Sequence, residues 1–208
     1  MTIRYCSAQD VCGVRSAILM SMSGLEDALV ELARSNYQGA VFLLAYGTTW
    51  LVCAVMWRVT EPKWAVTATL FQGMVALPVA VGLSAWLGMF EARPGGELIT
   101  QLGVLISVSQ LLVLPLLIVL TVRGRYTLVP LFFSLAGAVH FVPYAWLYQS
   151  LLYILLPIVL ALGLAAIYGT DRATADGDDM STAGAGRVCA LTGVALLLTG
   201  GFAIAAPI

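Results

Sequence analysis

LITQLGVLISVSQLLVLPLLIVLTV, the run from Leu98 to Val122, decides the fold. Its 25 residues include no Asp, Glu, Lys or Arg. At a rise of about 1.5 Å per residue, a helix of that length more than crosses a hydrocarbon core about 30 Å thick. Thr100, Gly103, Ser107 and Gln110 recur along it at helical spacing, so the segment reads as a transmembrane helix with one mildly polar stripe. Five further stretches read the same way: Gly39 to Val59, Trp64 to Gly88, Leu128 to Leu147, Ser150 to Tyr168 and Val188 to Ala206. The turns Arg58 to Lys63, Met89 to Glu97 and Arg123 to Thr127 are short. Consecutive helices are therefore antiparallel neighbours, and the expected fold is an all-α membrane protein. It is a single bundle of about six transmembrane helices arranged as three antiparallel hairpins.

Composition agrees. The chain of 208 residues is 61% hydrophobic and 10% charged, with a formal net charge of -1. A soluble domain of that size has too little interior to bury so much apolar surface, so the bilayer is its solvent and first partner. Near-neutral charge argues against a nucleic-acid partner. Cys6 and Cys12 lie near the N-terminus, Cys53 and Cys189 in apolar spans, and no spacing of Cys and His suits a metal or cofactor.

Two regions are expected outside the bilayer core. Residues 1–22 carry Arg4, Asp10 and Arg15 without an apolar run, which excludes a signal-peptide pattern. They read as a disordered tail or as an extension upstream of a start at Met20 or Met22. Residues 23–38 follow as an amphipathic interfacial helix, with Ser23 as cap and Leu25, Leu29 and Leu32 on one face. The stretch Gly169 to Arg187, rich in Gly, Ala, Thr and Asp, reads as a flexible loop, its Asp176 to Asp179 run lacking the geometry of a calcium loop.

Basic residues set the expected orientation. Arg58, Lys63, Arg123, Arg125, Arg172 and Arg187 fall in the turns after spans one, three and five, against Arg34 and Arg93 on the other side. The positive-inside rule then places both termini outside a cell membrane.

Within the spans the chemistry is sparse. No acid or base lies deep in one, which removes support for a proton pump. Gln72, Ala76, Ala80, Ser84 and Gly88 repeat every fourth position on span two and read as a helix-packing seam, or as a face for a second copy or a membrane partner. Pro78, Pro115 and Pro157 are expected to kink spans two, three and five. His140, the only histidine, lies at a depth similar to Ser107, with Gln110 one turn further in and Tyr144 one turn away on its own helix. His140 is expected to face the interior and hydrogen-bond to Ser107, Gln110 or Tyr144, as ligand site or as polar glue between helices.

These features favour a passive or weakly coupled conduit or carrier for a small solute. The alternative is a non-catalytic accessory or structural protein acting through helix contacts. An enzyme is not expected, although Gly82-Leu83-Ser84-Ala85 resembles the Gly-x-Ser-Gly nucleophile motif of rhomboid intramembrane proteases, with His140 as the base. Ala85 in place of the second glycine breaks that motif.

A further resemblance rests on two stretches, Glu26 to Trp57 and the element His140-Phe141-Val142-Pro143-Tyr144-Ala145-Trp146-Leu147-Tyr148. Together they resemble a family of bacterial multi-pass membrane proteins of unknown function. In that family a short amphipathic helix precedes the first span and a His-x-x-Pro-Tyr-x-Trp-Leu-Tyr element joins two late helices. The resemblance runs from about Glu26 to Tyr168 and implies a bacterial cell membrane, with no reaction or ligand attached.

Overall fold

The computed structural model describes residues 24–91, 96–171, 173 and 179–205. Among them no strand occurs, and the helices run in the order α1 (24–35), α2 (Ala40–Val59), α3 (Pro62–Phe71), α4 (Gly73–Trp86), α5 (Gly96–Ser109), α6 (Leu114–Val122), α7 (Val129–Leu147), α8 (Leu152–Thr170) and α9 (Thr182–Ala205). Six stretches are long and apolar enough to cross a membrane: Tyr37–Val59, Pro62–Trp86, Ile99–Val122, Tyr126–Leu147, Leu152–Thr170 and Thr182–Ala205. The protein is thus an all-α polytopic membrane protein. The expectations for residues 1–22 and for Asp176 to Asp178 lie outside the described residues.

Spans one and six form the centre. In lipid there is no hydrophobic force to press helices together, so close backbone approach and hydrogen bonds must do it. Ala40, Gly47 and Ala54 on α2, and Gly186, Gly193 and Gly200 on α9, each recur every seventh residue. The two helices run antiparallel with these rows facing. A Cβ built on Gly193 would stand 2.9 Å from the carbonyl oxygen of Gly47, and one built on Gly47 would stand 3.0 Å from that of Gly193. The same register places Gly186 against Ala54 and Gly200 against Leu43.

The other spans attach to this pair. Span two packs on α2, and α8 on α9; α7 packs on α8 and α9, and span three lies on α7. Spans one and six are accordingly the most buried, at 44% each, and span three the least, at 11%. Hydrogen bonds join the helices where packing is tight. Trp57 Nε1–H donates to Thr69 Oγ1 (3.1 Å), Thr49 to Gln72 Oε1 (2.6 Å), and the Ser134 and Thr192 hydroxyls lie 2.6 Å apart. Other hydroxyls return to their own helix, as Thr121 does to the Leu117 carbonyl and Thr199 to that of Ala195, so a polar side chain survives in an apolar span.

Helix ends follow from local chemistry. Gly88 and Gly124 adopt left-handed φ of +74° and +75° and close α4 and α6 by paired backbone bonds, Met89 N–H to the Ser84 carbonyl and Arg125 N–H to that of Leu120. Gly88 therefore does not belong to the expected stripe, because the helix ends before it. The stripe's remaining members, Gln72, Ala76, Ala80 and Ser84, are buried. The prolines interrupt less than expected: helix continues through Pro78 in α4 and Pro157 in α8, whereas Pro115 opens α6 after a 3-10 turn, Gln110–Val113.

Helix α1 lies on the bundle itself. Leu29 packs with Ile99 and Leu147, and Ala28, Leu32 and Tyr144 adjoin them. Leu25 is 39% exposed and is not on the inner face. From α1 the chain enters span one through Tyr37, Gln38 and Gly39, all left-handed, at φ of 45°, 50° and 74°. Two of the three carry side chains, which costs roughly 1–2 kcal/mol each. Tyr153 holds the turn by donating its hydroxyl proton to the Gln38 carbonyl, and a Cβ on Gly39 would lie 3.2 Å from the Tyr148 ring.

The expected flexible loop from 169 to 187 is partly helix, since α9 begins at Thr182 rather than Val188. Asp171, 1% exposed, explains the early start. Its carboxylate accepts from Ser181 Oγ (2.6 Å), Ser181 N–H (3.0 Å) and Ala173 N–H (3.1 Å), with Arg187 at 3.8 Å. Ser181 Oγ in turn accepts from Gly184 N–H (2.9 Å) as the helix cap. Gly184 is required there, because a Cβ would collide with the Asp171 carboxylate. Burial alone would raise the Asp171 pKa; the hydrogen bonds from Ser181 and Ala173, and Arg187, outweigh it and hold the carboxyl below its usual range.

Two predictions follow from this packing. Gly193→Ala is expected to lower stability by about 1–3 kcal/mol, since its methyl meets backbone, while Gly201→Ala, with open space around it, leaves the thermal midpoint in detergent unchanged. Asp171→Asn is expected to cost about 1–2 kcal/mol at neutral pH. Because the folded pKa is depressed, that contribution is complete above about pH 4, the unfolded value. It disappears as pH falls through the folded pKa, so the midpoints of wild type and variant converge in acid.

Candidate functional site

Spans two and three are each interrupted near their middle at a glutamine, although Gln72 itself keeps right-handed helical dihedrals (φ -55°, ψ -35°). In span two the break is Gln72, whose carbonyl accepts from both Val75 and Ala76 N–H. In span three it is the turn opened by Gln110. In span two the halves take different partners, whereas both halves of span three pack on α7. Helix α3 packs on both α2 and α7, but α4 stays with α2 alone of these two, while α5 follows α7. Among the described residues α4 and α5 make no extended contact with each other, and the gap between them, at the α1 end of the bundle, is called the wedge below.

Aromatic rings from spans four and five fill the bottom of this wedge. Tyr144 has its ring centre 5.3 Å from His140, 5.7 Å from Tyr148 and 5.8 Å from Tyr153, and Phe141 lies 5.7 Å from His140. From span one, the Tyr46 hydroxyl would lie 3.7 Å from a Cβ on Gly73, at the start of α4. Tyrosines are thus placed on both walls.

The polar groups divide in a way the sequence did not foretell. The Ser107 and Tyr144 hydroxyls pair with each other at 3.2 Å across spans three and four, in an exposed position, and Ser107 also donates to the Gly103 carbonyl at 2.8 Å. Gln110 lies against span four one turn away, where a Cβ on Gly137 would be 3.7 Å from its Nε2. His140 makes none of the three expected side-chain bonds. It is half-buried, and its Nδ1 is buried with no hydrogen-bond partner. The expected His140, Ser107, Gln110 and Tyr144 therefore share one interface, joined by a different set of bonds.

Ser84 Oγ is likewise buried without a hydrogen-bond partner. Ser84 lies on a helix that packs on α2 and has no extended contact with α7, and no hydrogen bond joins it to His140, so the two do not form a nucleophile and base pair in this arrangement. Among the described residues no three His, Cys, Asp or Glu side chains cluster as metal ligands. Sequence reading overlooked Tyr153 and Asp171; the signal for the first was the series Tyr144, Tyr148 and Tyr153 on one side of the bundle.

Residues 25–199 match a family described as a family of unknown function, DUF7010. The chain belongs to that family. The match extends from α1 into span six, beyond the Tyr168 limit of the sequence resemblance, and so takes in both faces of the central seam and every residue of the wedge. No curated protein and no solved structure matches the chain.

Proposed function

We propose that this protein is a carrier or conduit for a small amphipathic solute, which enters sideways from the bilayer into the wedge between α4 and α5. The reading is carried by the double break at Gln72 and Gln110, which leaves the Ser107 and Tyr144 hydroxyls exposed inside an otherwise apolar region. Exposed hydroxyls at that depth gain by meeting a polar group, and the aliphatic walls suit an acyl or alkyl chain. The alternative of an accessory protein loses its main support, since the small residues of span two are buried within the chain. We also place the basic end, with Arg58, Lys63, Arg123, Arg125 and Arg187, on the cytoplasmic side of a cell membrane. Both termini and the mouth of the wedge are then external.

A diazirine-bearing long-chain alcohol in reconstituted vesicles is expected to label peptides around Tyr46 and Ser107 to Tyr144, saturably and in competition with unlabelled alcohol. Labelling spread over the outer faces of span three, without saturation, would sink the proposal. For orientation, Glu91→Cys is expected to react with an impermeant maleimide added to intact cells, and Glu61→Cys only after lysis; the opposite pattern reverses the topology.

A further inference from the structure

We propose that an anionic phospholipid docks against the groove between α3 and α6, with its phosphate between Lys63 and Arg123. The two helices belong to spans two and three. Both pack on α7 and both lie against the turn Tyr126–Leu128 that leads into it, yet among the described residues they make no extended contact with each other. They therefore flank that turn. Lys63 lies in the first turn of α3 and Arg123 directly follows α6, so each flanking helix brings one exposed cation to the same end of the bundle.

These two cations have no counter-ion of their own. Among the described residues, neither side chain takes part in an ion pair or a hydrogen bond. Two acids of that end are already engaged: Asp179 pairs with Arg125 at 3.1 Å, and Asp171 lies 3.8 Å from Arg187 and takes three donors at the start of α9. Glu61, exposed at the N-cap of α3, is the remaining described acid, one charge against two. Arg58 stands apart, since its Cγ lies 4.0 Å from a Cβ on Gly186 and its side chain is thus turned to α9.

The level in the bilayer suits a lipid headgroup. Trp64, beside Lys63, is 66% exposed, and Tyr126 is half-buried in the turn between the helices. Such rings settle at the membrane interface, which puts the cations at the height of lipid phosphates. Toward the membrane centre, exposed side chains such as Phe71 of α3 and Val119 of α6 offer apolar surface to acyl chains. No enclosed cavity is needed, because a groove between spans opens to the bilayer that supplies the lipid. A zwitterionic lipid brings its own cation to the phosphate, so the anionic class is favoured. The wedge reading, which concerns the opposite end of these spans, is not required.

The test titrates phosphatidylglycerol and phosphatidylcholine of the same chain length into full-length protein in neutral detergent and follows the thermal midpoint. Phosphatidylglycerol is expected to stabilise the wild type at lower concentration. Lys63→Gln and Arg123→Gln are each expected to raise its half-maximal concentration about fivefold, whereas Arg58→Gln leaves it unchanged. Lys63→Arg and Arg123→Lys keep the charge and are expected to keep the wild-type response, which separates lost charge from damaged packing. Equal stabilisation by the two lipids, or an equal loss in all three Gln variants, would overturn the proposal. Glycerol phosphate, which has no acyl chain, is expected not to stabilise; if it matches phosphatidylglycerol, the site takes a free phosphate and the lipid assignment fails.

Discussion

The backbone contact between Gly47 and Gly193 is the constraint on which the bundle rests. Side chains cannot supply the attraction between two helices already surrounded by lipid, so spans one and six approach until main chain meets main chain. Any Cβ at these positions would stand within 3.0 Å of the opposite carbonyl. The two rows of small residues match in antiparallel register along the whole contact, from Gly186 beside Ala54 to Gly200 beside Leu43. With the first and last spans so joined, the four between them form a partial ring around one seam. Span three, attached to α7, is the outermost.

Polar groups away from the wedge are nearly all paired. Threonines return to their own helices, Ser134 meets Thr192, Trp57 meets Thr69, and the Asp171 carboxylate takes three donors at the start of α9. His140 Nδ1 and Ser84 Oγ, buried without a hydrogen-bond partner, stand apart from that rule. In a hydrocarbon solvent, departures of this kind cost most.

The wedge depends on both the rigid seam and the broken spans. The break at Gln72 is stabilised from span one, because Thr49 donates to the Gln72 side chain. At the α1 end, the left-handed turn Tyr37 to Gly39 is held by Tyr153 and Tyr148, which are also part of the wedge floor. The strain of that turn and the shape of the site are thus borne by the same rings.

The sequence by itself determined the class of the protein: helix length, apolarity and short turns are local properties, and they place all six spans within a few residues except the start of span six. It also determined the span-two stripe as far as Ser84, since a repeat of four can be read on one helix. Only tertiary structure decided the rest. The glycine rows of spans one and six acquire meaning only when they face each other from opposite ends of the chain. Breaks fell at Gln72 and Gln110 rather than at Pro78 or Pro157, because a neighbouring helix compensates for an unpaired carbonyl or fails to. The stretch from 169 to 187 has the composition of a loop, yet Asp171 and Ser181 start a helix there, through hydrogen bonds that composition does not encode. His140 was legible as a notable residue, but not the burial of its Nδ1 without a partner, which the folded bundle alone sets.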